Sequence, residues 1–290
     1  TMIVIVMVLT IIGNTSLICI IVYHPKLRRK RVNIFLVNLA IGDLMVCFVT
    51  MTTEILFVAF GEWILGAVLC KLMVYGQIVT LASATFLLTG MSIDRYQVIV
   101  KPLQSLRGQP KIWRKVTVAW VLALICAAPQ LFIFVQTDEG VHPDGEIKHL
   151  CQSAGYTEKW QRKLYFTYLT MYILVIPTII MSFCYTNIIK VVWMRNFDGS
   201  NTKSSPKIRL VPKKLVSASK RNVIKMTLTV IIGFLICSAP YFVVSLIRIY
   251  SDYTIKMPNA LSVAEIMALV HSALNPILYG MFSTKAARRL

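Results

Sequence analysis

Seven apolar runs dominate this chain: Met2 to Tyr23, Asn33 to Phe60, Ala67 to Val100, Ile112 to Val135, Leu164 to Met194, Val223 to Tyr250 and Ala260 to Met281. A helix needs about 20 mostly apolar residues to cross the hydrocarbon core of a bilayer, and every run is long enough. The expected fold is therefore an all-α membrane protein, a bundle of seven transmembrane helices. Several runs exceed the minimum, which implies tilt, kinks or helices that project beyond the lipid. Pro129, Pro177, Pro240 and Pro276 fall inside runs and are expected to kink them, because each removes a backbone donor from its helix.

Composition agrees. The 290 residues are 57% hydrophobic and 15% charged, against about 25% charged in an average soluble domain. Seven spans use roughly 140 positions at 20 residues each, leaving only short connections, so 1–290 reads as a single seven-span domain. The net charge of +19 does not point to nucleic acid, because the basic residues lie between apolar spans and not on one solvated face. The chain opens within an apolar run, without a basic leader or cleavage site, so further upstream residues are expected and no signal peptide is visible.

Basic residues near span ends stay on the cytoplasmic side, and here they alternate. All but seven of the 31 Lys and Arg fall in the first loop, at and after the end of span three, between spans five and six, or at the C-terminal end. The exceptions, Lys71, Lys148, Lys159, Arg162, Lys163, Arg248 and Lys256, share the opposite side with most of the acids. The N-terminus is therefore expected outside and the C-terminus inside. Residues 136–163 form a long polar outer loop, and 196–218 a basic Gly/Ser/Pro loop on the inner side, suited to anionic lipid or an acidic partner.

Of seven cysteines, Cys19, Cys47, Cys126, Cys184 and Cys237 lie inside apolar runs and read as packing residues. Cys70 and Cys151 lie at run edges beside polar loops, a setting that permits one disulfide if those loops face an oxidising compartment. Ionisable or strongly polar groups within a span cost several kcal/mol unless paired or hydrated, so they are functional candidates. They are Asn14, Asp43 and Asn275 in spans one, two and seven, Asp94 and Arg95 at the end of span three, and Glu54, Gln77 and Glu265 in the outer parts of spans two, three and seven.

The ordered set of residues on these spans resembles the rhodopsin-like family of G-protein-coupled receptors over essentially the whole chain. It comprises Gly13-Asn14, then Asn38-Leu39-Ala40 with Asp43, then Trp63 and Gly66 before Cys70. Asp94-Arg95-Tyr96 ends span three and Trp120 sits in span four. Pro177 and Tyr185 follow in span five, Phe234, Cys237 and Pro240 in span six, and Asn275-Pro276-Ile277-Leu278-Tyr279 with Phe282 in span seven. The resemblance implies a multi-pass plasma-membrane receptor, with a short amphipathic helix after span seven, and no enzymatic function.

It also implies roles for residues. Asp94, Arg95, Tyr96, Tyr185, Asn275, Pro276 and Tyr279 would serve activation and coupling to a heterotrimeric G protein, Arg95 pairing with Asp94 at rest. The bland alternative for Arg95 is a snorkelling interfacial arginine. Asp43 with Asn14 and Asn275 looks like the family's sodium-linked cluster, or else a water-bridged patch that pins helices. Three departures stand out. Ser238 replaces the usual span-six Trp, leaving Phe234 or Tyr241 to supply a bulky contact. The span-six acid that often clamps Arg95 is absent from Ser219-Lys220-Arg221. Ala84, with Ser83 and Thr80 nearby, stands where a small polar residue often completes the sodium site, which weakens the case for a sodium ion at Asp43; no other cofactor is expected.

Gln77 replaces the aspartate that an aminergic receptor needs, and span seven lacks an interior lysine, so an opsin is excluded. Glu54 and Gln77 are similar to positions in the vasopressin/oxytocin, neuropeptide S and gonadotropin-releasing hormone branch. That likeness implies an extracellular peptide agonist with a basic group, a ligand site of Glu54, Gln77, Tyr241, Arg248 and Glu265, coupling that leans to the Gq class, and arrestin as a further partner. Internal pairing of Glu54 and Glu265 with Arg248 or Lys71 remains the competing role, since an unpaired buried carboxylate is costly. The alternative from another class is a transporter or channel with an ion path through Asp43 and Arg95; absent repeats count against it.

Overall fold

A computed structural model describes residues 2–102, 112–141, 145, 147–200 and 218–287, with only the backbone described for 195–200, 218–220 and 282–287. Seven helical spans are long and apolar enough to cross a membrane: Met2–Tyr23, Arg31–Phe60, Gly66–Val100, Ile112–Ile133, Lys159–Met194, Arg221–Tyr250 and Pro258–Met281. Most of the inner loop 196–218 lies outside the described residues. Span seven continues unbroken to Ala287, so the short helix expected after it does not separate from it within the described residues.

Span three is the central element, packing along spans two, four and five and touching span six, while span seven packs against spans one and six. Phe35, Leu87, Leu88, Met91, Met181 and Phe234 form the middle of the core. Large apolar side chains such as Ile12, Phe48, Ile125, Phe183 and Ile236 lie on the outside. In water such a surface would promote aggregation; facing acyl chains it carries no such cost. Cys47, Cys184 and Cys237 are buried as expected, but Cys19 is exposed and Cys126 half-buried. An outward-facing position in a bilayer is as apolar as an inward one, so an apolar run does not reveal which way a cysteine points.

The prolines act in different ways. At Pro129 the span-four helix stops at Ala127 and resumes at Gln130, whereas the helices continue through Pro240 and Pro276. Pro177 follows a π-helical turn, Met171–Val175. A second π-helical turn, Cys47–Met51, occurs in span two without any proline. Hydroxyls serve the carbonyls around it: Thr52 donates to the Cys47 carbonyl at 2.9 Å and Thr53 to those of Val49 and Thr50 at 2.8 Å, as a dry environment requires. Span five starts at Lys159, ahead of its apolar run, because the Gln161 side chain accepts from the Thr157 and Glu158 amides at 3.0 and 3.4 Å and caps the polar first turn.

The long loop contains a β-hairpin that the apolar pattern did not indicate: β1 (Val135–Val141) pairs antiparallel with β2 (Ile147–Gln152), Gln136 facing Cys151. Cys151 is bonded to Cys70 at the start of span three, with a Cα–Cα distance of 5.6 Å. The hairpin is held at two further points. Trp63 donates its amide to the His149 carbonyl at 2.8 Å, and Gly155 donates to the Ile133 carbonyl at 2.9 Å. Gly155 approaches span four so closely that a Cβ would lie 2.3 Å from the Phe132 carbonyl oxygen.

Cys70→Ala or Cys151→Ala is expected to remove most folded protein from the cell surface, by loss of a constraint typically worth about 2–5 kcal/mol. Gly155→Ala should lower thermal stability while leaving the disulfide formed. Surface labelling, thiol alkylation and melting temperature check both; free alkylation of Cys70 in folded wild-type protein would contradict the first.

Candidate functional site

The polar groups of the spans collect at three levels. At the end remote from the disulfide, Asp94 is fully buried and meets three cations. Arg31 at the start of span two and Arg95 beside it each approach to 2.7 Å, and Lys115 from span four to 3.0 Å. Lys115 also donates to the Gln97 side chain at 2.8 Å. Asp94 is thus not reserved for Arg95: it is shared between spans two, three and four. Three positive groups on one carboxylate leave a local excess of positive charge. Tyr96 stacks obliquely on Phe183 at 5.9 Å, and the Tyr185 hydroxyl donates to that of Thr227, joining spans five and six. Tyr279 is buried in the same core.

At mid-depth, Gly13 allows span one to approach span seven, since a Cβ there would come within 3.1 Å of the Pro276 ring. That approach lets Asn14 donate to the Ser272 carbonyl at 3.0 Å. Asn275 donates to Asp43 at 2.8 Å. The Ser83 hydroxyl is used within span three, on the Thr80 carbonyl at 2.8 Å. Ser238 is buried, and Phe234 supplies the bulk next to it, meeting the His271 ring edge-on at 5.2 Å. Tyr241 and Phe242 continue the aromatic layer towards Phe166 of span five, at 6.4 and 6.1 Å.

At the disulfide end a cavity of about 230 Å³ opens among spans three, five, six and seven and the long loop. Tyr241, Arg248 and Glu265 line it, as do Arg162, Tyr156 and Tyr253. Glu54 and Gln77 are not on its wall. Gln77 donates to the Thr53 hydroxyl at 2.9 Å, so the π-helical turn of span two fixes its orientation. Glu54 lies near enough to Glu265 and Tyr241 to interact electrostatically, as does Arg248. Among the described residues, no ion pair within 4.0 Å joins either glutamate to Arg248 or Lys71, so Arg248 acts on Glu265 at longer range and not as a contact pair.

Beyond span six the chain turns back sharply. Asp252 and Tyr253 adopt φ of 50° and 62°, a left-handed conformation that costs side-chain-bearing residues on the order of 1 kcal/mol each. Asp252 is held by Lys163 at 3.0 Å, and the Tyr253 amide by the Arg248 carbonyl at 2.9 Å. Tyr253 thereby lies beside two guanidinium groups, Arg162 at 5.6 Å and Arg248 at 5.5 Å from its ring centroid. Burial pushes the Tyr156 phenol up to about 12, against the pull of the nearby Arg162 charge, so this hydroxyl stays protonated at neutral pH.

The sequence pattern passed over several of these groups. His271 is an ionisable residue in an apolar run, four positions before Asn275, and could have been found by that signal. Arg31 and Lys115 sat in basic loops where any one lysine or arginine looks like the rest. Arg162, Thr227 and Tyr253 carry no local signal and become visible only through packing. Replacing Asp94 with Asn should destabilise the protein by about 3 kcal/mol, since three cations lose their shared counter-charge. Adding Arg31→Gln should restore part of the loss by relieving repulsion. Melting temperatures of the two single variants and the double variant test this, and strict additivity would contradict it.

Comparison with known proteins meets this geometry. The family described as 7 transmembrane receptor (rhodopsin family) matches residues 13–279. The chain is 27% identical to a gonadotropin-releasing hormone II receptor of Clarias gariepinus over 85% of its own length and 65% of the relative's. It is 26% identical to a mesotocin receptor of Rhinella marina over 98% and 73%, and 27% identical to a neuropeptide S receptor of Macaca mulatta over 96% and 74%. The chain thus spans about two thirds to three quarters of the length of these relatives. These are receptors and not enzymes, and the transporter or channel alternative is not favoured. The chain belongs to the rhodopsin family of seven-transmembrane receptors, as a multi-pass protein of the plasma membrane.

Proposed function

We propose that this receptor binds an extracellular peptide at its disulfide end and activates a heterotrimeric G protein at its Asp94 end, with the N-terminus outside the cell. The observation that carries the reading is span three itself. One helix, Gly66–Val100, is bonded to the hairpin at its first turns, borders the cavity at Ile78 and ends in the Asp94–Arg95 cluster. The relatives whose names specify gonadotropin-releasing hormone, mesotocin and neuropeptide S support a peptide agonist. Their branch leans the coupling towards the Gq class, with arrestin as a later partner and the basic inner loop against anionic lipid.

Activation on this reading withdraws Arg95 from Asp94 and separates spans five and six, which the Tyr185–Thr227 hydrogen bond holds together. The resting cluster is read without sodium, a reading supported by the Asn275 hydrogen bond to the Asp43 carboxylate and by Ala84, which offers no side-chain oxygen. Glu265 on the cavity wall, with Glu54 behind it, provides negative charge for a basic group of the peptide.

A pooled peptide screen on membranes carrying this chain, read as guanine-nucleotide exchange with added G proteins, tests the reading; activation by no peptide would overturn it. With an activating peptide in hand, Glu265→Gln should lower potency about 10-fold or more at unchanged expression, and Glu54→Gln by less, because Glu54 stands off the wall. Arg95→Ala should keep peptide binding and abolish exchange. Thr227→Val should raise basal exchange several-fold, as loss of a hydrogen bond worth about 1 kcal/mol from the resting arrangement demands.

A further inference from the structure

Two arginines line the same cavity, and Glu265 on its wall acts on Arg248 only at longer range than an ion-pair contact. Arg162 from span five and Arg248 from span six both line the cavity and flank the Tyr253 ring at 5.6 and 5.5 Å. The nearest acid in sequence, Asp252, is engaged by Lys163. Among the described residues no carboxylate lies within 4.0 Å of either guanidinium. Arg162 donates one Nη to the Ser153 carbonyl at 3.0 Å, while its Nε–H, buried, has no partner. Like charges brought together are unfavourable in an empty site, yet the chain adopts two left-handed residues in succession that set Tyr253 beside both.

We propose that Arg162 and Arg248 form an anion-recognising pole of the ligand site, which takes a carboxylate of the extracellular ligand. The inference rests on the receptor reading and deepens it: a ligand with its basic group towards Glu265 carries its acidic group towards the two arginines, and is therefore dipolar. A guanidinium presents its N–H groups as a planar fork that matches the two oxygens of a carboxylate. The protonated Tyr156 hydroxyl, whose ring lies 5.4 Å from the Arg162 guanidinium, adds a neutral donor at the same edge. Tyr253 keeps the two arginines in place by cation–π contact, so they are ordered before the ligand arrives.

The carboxylate could be a side chain or a free C-terminus, and small probes separate the two without any knowledge of the peptide. N-acetylglycine presents a terminal carboxylate, N-acetylaspartate α-amide a side-chain carboxylate, and N-acetylglycinamide neither. With the receptor in nanodiscs, at least one carboxylate probe at a concentration near its dissociation constant should raise the melting temperature by about 1 °C or more through mass action. The amide control should not, and the probe that acts identifies the source. Arg248→Gln and Arg162→Gln should each remove the shift, and Arg248→Lys should keep part of it. Equal behaviour of all three probes on the wild type would overturn the anion pole, even if a variant fails to fold. That result would leave the receptor reading standing, since the peptide screen tests it separately; conversely, a carboxylate shift with no activating peptide would refute the receptor reading and keep the anion pole.

Discussion

The hydrocarbon core of a bilayer holds no water, and almost every feature of this chain follows from that. Backbone groups must be satisfied inside the protein, so the apolar runs are helical, and where the helix departs from its regular pattern a side chain intervenes. The π-helical turn of span two is served by Thr52 and Thr53. Asn14 reaches a carbonyl of span seven only because Gly13 brings the two helices together. Structural satisfaction also has functional consequences: Thr53, having served the backbone, accepts from Gln77 and orients it.

The same scarcity of water sorts the charges to the two ends of span three. At one end a single buried carboxylate gathers cations from spans two, three and four, so that Arg95 competes with Arg31 and Lys115 for Asp94. At the other end Arg162, Arg248 and Glu265 line one cavity. Each arrangement is unbalanced by itself: three cations meet one carboxylate in the first, and two arginines line a cavity with one glutamate in the second. A partner that completes either one changes the relative stability of the helix arrangements, and a helix that joins both lets one completion influence the other.

The spans were legible because a membrane-crossing helix needs a long apolar run and nothing else, and the ordered motifs then resolved the family. What the pattern missed has physical reasons. A capped polar turn extended span five to Lys159, ahead of any hydrophobic signal. The β-hairpin lies in a polar loop whose register is fixed by the Cys70–Cys151 bond and the Gly155 contact, and no alternation of polarity announces it. Cys19 faces outward because lipid and core are equally apolar. Among the site residues, the likeness to peptide receptors implied Tyr241, Arg248 and Glu265, and all three line the cavity. The same likeness implied Glu54 and Gln77, which lie off the cavity wall: Glu54 follows the π-helical turn of span two, and a hydrogen bond turns Gln77 towards Thr53.

The central claim is that occupation of the cavity and engagement of a G protein at the Arg95 end are energetically coupled. Coupling of binding sites is reciprocal, so the most direct measurement is the affinity of an activating peptide for the receptor in nanodiscs, alone, with nucleotide-free G protein, and with that complex after a non-hydrolysable guanosine triphosphate analogue is added. The account predicts tighter binding with the nucleotide-free G protein, by about 5- to 150-fold, and return to the uncoupled affinity once the analogue binds. An affinity that stays the same in all three conditions would contradict it.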